Sequence, residues 1–239
     1  MSGAGEGDRQ PGAPARGVTQ AIALEVDRLT VGPVAENTYI VRAQGSDHGL
    51  LVDPGDEPER LIEAIDGLGL TIDAILLTHT HFDHVGAVAP LARYTGAPVY
   101  CPALERHMLA DINTYMRMTG FGPFESYDAD ELLSGGEHLE LAGLELDVHF
   151  TPGHSPGHLT YAIPAGGALF SGDVLFAGSV GRVDLPGGDW PTLEASIRQL
   201  LDAYPDDTLV YAGHMSLTTL GREREMNPFL GELRTSAAG

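Results

Sequence analysis

Thr78-His79-Thr80-His81-Phe82-Asp83-His84 follows directly on the mostly apolar run 72–77. A run of that kind reads as a strand buried on both faces, so the cluster hangs from a rigid element. Alternate side chains of an extended segment share a side, which points His79 and His81 the same way. Asp83 and His84 then fall where the chain turns into the next helix. Four donors in six positions can serve two neighbouring metals. Imidazole and carboxylate suit zinc, iron or manganese, and the missing thiolates argue against a closed structural zinc site. Gly86 lets the backbone run close beneath the cluster.

Three later stretches repeat one pattern: Phe150-Thr151-Pro152-Gly153-His154, Phe170-Ser171-Gly172-Asp173 and Val210-Tyr211-Ala212-Gly213-His214. Each places a donor on a strand-end turn beside glycine, exposed to a ligand yet rigidly held. Any one would be weak evidence. Together with the first cluster they build a two-metal hydrolytic site from His79, His81, Asp83, His84, His154, Asp173 and His214.

Around these motifs, strands are expected at 22–29, 37–42, 49–53, 72–77, 97–101, 139–141, 144–150, 159–163, 168–170 and 208–211. Helical spacing covers 58–68, 85–94, 104–111 and 190–203. Strands plus helix, then strands plus helix, give an α+β fold of two sheets packed face to face with helices outside, and not a parallel βαβ series. The Gly/Pro/Ala-rich residues 1–19 read as a disordered lead-in, and 20–239 as one domain. The stretch 113–130 has no sustained period but carries Tyr115, Met116, Met118, Phe121, Phe124 and Tyr127. It is expected to cover the site and supply its apolar wall.

The 239 residues carry a net charge of −21, which repels phosphate backbones and removes nucleic acid as a partner. No run approaches the ~18 apolar residues of a membrane span, and no secretory signal is evident. A soluble, cytoplasmic enzyme acting on a small molecule is expected. Cys101, the single cysteine, reads as a buried inert thiol. His158 reads as structural, and His48, His107, His138 and His149 as surface or packing residues. Asp53, before Pro54-Gly55, is placed to hydrogen-bond a metal-bound histidine.

The string THTHFDHVG resembles the signature of the metallo-β-lactamase superfamily, and TPGHSPGH, SGDVLF and YAGH match its remaining motifs in order. Within it the chain is most similar to the short glyoxalase II-like (hydroxyacylglutathione hydrolase-like) proteins. LFAGSVGR at 175–182, PGGD at 186–189 and TLGREREMNP at 219–228 carry that narrower match. The resemblance covers residues 20–231 and implies a four-layer αβ/βα sandwich.

By that resemblance His79, His81 and His154 hold one divalent metal, Asp83, His84 and His214 a second, and Asp173 bridges them. The metals are expected to be zinc, with iron or manganese as alternatives. A metal-bridging hydroxide is the implied nucleophile, oriented by Asp83. Arg182 either contacts the carboxylate of a thiol carrier or forms an ion pair with Asp184 or Asp189. The implied activity is hydrolysis of an acylated small thiol. Persulfide dioxygenases look similar and use one iron at the subset matching His79, His154 and Asp173. A lactonase or β-lactamase needs the same metals with another pocket. Two places depart from the glyoxalase II pattern: Met215-Ser216 replaces the usual Gly-Pro, and the chain ends soon after Asn227-Pro228 without the C-terminal helical region that adds glutathione contacts.

Overall fold

The computed structural model describes residues 21–115 and 121–231. The expected lead-in at 1–19, and Met116 and Met118, lie outside the described residues. The chain opens with the antiparallel strands β1 (Leu24–Val31), β2 (Glu36–Ala43) and β3 (His48–Val52). Helix α1 (Pro58–Leu68) crosses to β4 (Thr71–Leu76), which lies parallel to β3. The donor cluster forms α2 (Phe82–Val85), then α3 (Val88–Thr95) leads to β5 (Val99–Pro102). A 3-10 turn at Ala103–Glu105, α4 (Arg106–Ala110) and α5 (Ile112–Tyr115) precede β6 (Glu131–Leu133), which completes a sheet in sequential order β1 to β6.

The second half begins with β7 (His138–Leu141), β8 (Leu144–Phe150), β9 (Leu159–Ile163) and β10 (Ala168–Gly172), paired antiparallel in turn. A small hairpin of β11 (Leu175–Phe176) and β12 (Ser179–Val180) follows, then α6 (Trp190–Ala203), β13 (Leu209–Ala212), β14 (Thr218–Thr219) and α7 (Leu220–Met226). The crossover through α6 makes β13 parallel to β10, and the second sheet runs β14-β13-β10-β9-β8-β7.

The period of two along each strand builds the layers. Tyr39, Val41, Leu50, Val52, Ala74 and Leu76 face Val148, Tyr161, Ile163 and Phe170 of the other sheet in a central core. The alternate residues Ile40, Leu51, Ile75 and Leu77 pack outward onto Leu61 and Ile65 of α1 and Val88 and Leu91 of α3. In the second sheet Ala162, Leu169 and Val210 pack outward onto Leu193, Ile197, Leu200 and Leu201 of α6. This is the expected four-layer α+β sandwich. Helix α6 begins where the Asp189 side chain accepts from the Thr192 N–H, with Pro191 in the first turn. Asp189 is thus a cap and not the partner of Arg182.

One expectation changes. The helix expected at 85–94 is broken into α2 and α3, because Gly86 passes against Pro54-Gly55. A Cβ on Gly86 would stand 2.4 Å from the Gly55 carbonyl oxygen, and the Ala87 N–H donates to the Pro54 carbonyl at 3.0 Å. The described part of the 113–130 stretch packs onto the outer core beside α1 and α3. Phe121 and Phe124 stack on Phe82 at 4.8 and 5.7 Å, Tyr127 joins the same core, and Tyr115 is exposed. These rings support α2 from its apolar side. Among the described residues no helix is long and apolar enough to cross a membrane.

Candidate metal centre

The donors gather at one end of the sandwich because each follows the C-terminal end of a strand. Asp53 follows β3, His79 and His81 follow β4, His154 follows β8, Asp173 follows β10 and His214 follows β13. Glycines let the turns close in. A Cβ on Gly213 would stand 2.4 Å from Asp173 Oδ1, and one on Gly181 would stand 1.8 Å from the Asp173 carbonyl oxygen.

Three ring nitrogens converge in one cluster. His81 Nδ1 lies 3.0 Å from His79 Nε2 and 2.9 Å from His154 Nε2. Their outer atoms show which nitrogen faces inward without its proton. Thr78 Oγ1 donates to Asp53 Oδ2 at 2.7 Å, so its oxygen accepts from His79 Nδ1 at 3.0 Å. His154 Nδ1 donates to the main-chain carbonyl of Arg182 at 2.8 Å. Both Nε2 atoms therefore aim a lone pair into the cluster. Burial and the neighbouring imidazoles hold His79 well below the usual histidine range and push His81 down to about 3. Neutral imidazoles are the ligand form.

The second cluster is Asp83, His84 and His214, and its donor atoms lie within 4.8 Å of one another. His84 Nδ1 donates to Asp53 Oδ2 at 3.0 Å, and His214 Nδ1 faces the Ala35 carbonyl at 3.3 Å. Their Nε2 atoms point inward, that of His214 lying 3.3 Å from Asp83 Oδ2. Burial works against charge on His84, but Asp173, Asp83 and Asp53 outweigh it and raise its pKa well above the usual value. Asp173 stands between the clusters. Its Oδ2 is 3.5 Å from His154 Nε2, and its Oδ1 is 3.4 Å from His84 Nε2. Burial alone would raise Asp173, but His84, His154 and His214 outweigh it and hold the carboxyl far below its usual range.

The donor set fits two divalent cations. His84 Nε2 and Asp173 Oδ1 are buried, close together and without a hydrogen-bond partner, a cost that a cation between them would remove. The second-sphere pattern of carboxylate and carbonyl behind each ring is what a metal-bound histidine requires.

The sequence expectations fare as follows. All seven donors come together. Asp53 holds His84, as expected, and also accepts from the Thr78 N–H at 2.7 Å. His158 is buried and structural: its Nε2 accepts from the Asp173 N–H at 3.1 Å, and Nδ1 faces Thr151 Oγ1 at 3.2 Å. His48 and His138 pair with Asp73 and Asp147 at the surface. His149 and His107 pack on Tyr204 and Tyr115. Cys101 is fully buried, and burial pushes its thiol pKa far up. Arg182 is exposed, and its guanidinium makes two hydrogen bonds to Asp184, at 2.6 and 2.7 Å.

Two buried carboxyls escape sequence reading. Glu36, fully buried at the start of β2, accepts from Thr38 Oγ1 at 3.1 Å and places Oε1 3.8 Å from His84 Nδ1. Burial raises its pKa well above the usual carboxyl value. Glu105, in the 3-10 turn, is also fully buried and reaches both histidine loops.

The metallo-beta-lactamase superfamily model matches residues 31–214, a span that contains both clusters. The chain belongs to the metallo-beta-lactamase superfamily. It is 38% identical over 182 residues to the hydroxyacylglutathione hydrolase GloC of Haemophilus influenzae, covering 75% of this chain and 86% of that one. It is also similar to the crystal structure of BLEG-1 B3 metallo-beta-lactamase, with a TM-score of 0.82 and 40% identity over 87% of this chain and all of that one. The structure of TTHA1623 in a di-iron-bound form aligns with a TM-score of 0.77 and 45% identity over 86% of this chain and 100% of that one. As a superfamily member the chain is a metallo-hydrolase with a centre suited to two metals. The named relatives differ in activity, and one of them holds iron.

Proposed function

We propose that the chain hydrolyses the thioester of an acylated small thiol. His79, His81 and His154 would hold one divalent cation and Asp83, His84 and His214 a second, with Asp173 between the two sets. The observation that carries the two-metal reading is the convergence of both triads on the two oxygens of Asp173. A one-iron dioxygenase would use only the subset of His79, His154 and Asp173, and metal stoichiometry separates the two readings. Bound cations of this class polarise a carbonyl and make water acidic enough to attack at neutral pH.

The chain's own groups supply the rest. Asp53 and the Arg182 carbonyl fix the rings of His84 and His154, so the donors need no rearrangement when substrate arrives. Burial would raise Asp83, but His84 and His214 outweigh it and keep the carboxyl below its usual range. Asp83 is then an ionised acceptor that orients the attacking water. A thiol of pKa about 8.5 leaves as thiolate without a strong acid. The glyoxalase II-like relative at 38% identity supports the thioester class.

Arg182 contacts a carboxylate on the thiol carrier, taking it in place of Asp184. Zinc is the proposed metal, with iron and manganese compatible with the same donors. A panel of thioester, lactone, β-lactam and persulfide substrates, run with metal analysis, tests the reading. Thioester turnover far above the others is expected. Persulfide-dependent oxygen consumption with one iron per chain would overturn it.

A further inference from the structure

In Thr78-His79-Thr80-His81 the two histidines turn ring nitrogens to the clusters, while the two threonines bond elsewhere. Each threonine meets a buried carboxylate. Asp53 takes the N–H and hydroxyl of Thr78, at 2.7 and 2.7 Å. Glu105 takes the N–H and hydroxyl of Thr80, at 2.8 and 3.0 Å, through Oε2. Glu105 then does something more. Its other oxygen accepts from Ser155 Oγ at 2.5 Å and from the Gly157 N–H at 2.8 Å.

Ser155 is the residue after His154. One fully buried carboxylate thus ties the loop of His79 and His81, which leaves the first sheet, to the loop of His154, which leaves the second. The approach depends on Gly157, where a Cβ would stand 2.6 Å from Glu105 Cγ. All four donors belong to the two loops that carry the three-histidine cluster, and none belongs to Asp83, His84 or His214.

We propose that Glu105 is a positioning residue for the three-histidine half of the centre. It sets the separation of the His79–His81 segment from His154, as Asp53 sets the orientation of His84 in the other half. The inference rests on the two-metal reading given above. A buried carboxylate that accepts four hydrogen bonds fixes four loop atoms at once, where a hydrophobic residue at this place would fix none and leave the donors unsatisfied.

The test is stepwise titration of cobalt(II) into metal-free protein, followed by its visible absorption, for wild type, Glu105→Gln and Asp53→Asn. The amide of Glu105→Gln keeps the shape but turns an NH₂ toward two donors. The expected result is that Glu105→Gln weakens the step assigned to the three-histidine site about 10–100-fold, and alters its absorption. The other step should stay within about twofold of wild type. Asp53→Asn, which loosens His84 directly and His79 through Thr78, should weaken both steps. A merely structural clamp would lower thermal stability and leave both steps as in wild type, or weaken both alike, and either result overturns the inference. Should Glu105→Gln fail to fold, Ser155→Ala removes one of the four bonds and must show the same preference, in smaller measure. A wild type that takes up a single cobalt ion overturns the two-metal reading together with the inference.

Discussion

Asp53 accepts a 3.0 Å hydrogen bond from His84 Nδ1 while its own backbone sits at φ 47, in the left-handed region. A non-glycine residue held there is uncommon, and asparagine and aspartate are the types that tolerate it best. The turn at Asp53-Pro54-Gly55 therefore aims a carboxylate at both Thr78 and His84, and the backbone strain is stored beside the metal donors.

Asp53→Asn keeps the turn but removes the charge behind His84. Metal affinity should fall about 10–100-fold, with circular dichroism unchanged. Isothermal titration of the metal-free variant measures it, and wild-type affinity would show that the contact does not orient the ring.

Asp173 approaches both triads, at 3.5 Å from His154 and 3.4 Å from His84. Asp173→Ala should lose metal retention and turnover together. Metal content after gel filtration and the rate on a thioester are the two readings. Near-normal activity would refute the assignment.

The Arg182 guanidinium is exposed and bound to Asp184, whereas its carbonyl holds His154. Arg182→Ala removes the first and keeps the second. KM for a substrate whose carrier bears a carboxylate should rise about tenfold, the equivalent of about 1.4 kcal/mol, with kcat little changed. Stability should move by less than about 0.5 kcal/mol. An unchanged KM would leave the side chain with its ion pair alone.

Gly213 has room for a hydrogen and nothing larger, since a Cβ would meet Asp173 Oδ1 at 2.4 Å and His84 Cε1 at 2.6 Å. Gly213→Ala should cost about 1–3 kcal/mol through overpacking, read as a melting-point drop of about 2–4 °C for each kcal/mol. Metal affinity should fall with it. Wild-type affinity would mean that the strand-end glycine serves the fold and not the donors.

The seven donors were legible from local patterns that need no knowledge of the fold: His79, His81, Asp83 and His84 from their density after a strand, and His154, Asp173 and His214 from strand ends beside glycine. The layered architecture was legible from β3 and β4, whose alternate residues feed two different cores. Asp53 was visible for the same reason as the donors. Glu105 and Glu36 were not, because their partners lie on segments that only folding brings near; Glu105 meets Ser155 across 50 residues. The break at Gly86 was hidden likewise, since its cause is the Gly55 carbonyl 31 positions earlier. That Phe121 and Phe124 pack on Phe82 was not legible, because composition reports apolarity without direction. Short strands such as β14 (Thr218–Thr219) carry too few residues for any period to show.

The central claim is a centre of two metals serving hydrolysis. Metal-free protein titrated with zinc and assayed on a thioester tests it most directly. Activity that rises to a plateau at two equivalents per chain is the expected result. Full activity at one equivalent, or none with zinc and an oxygen-consuming reaction with iron, would contradict it.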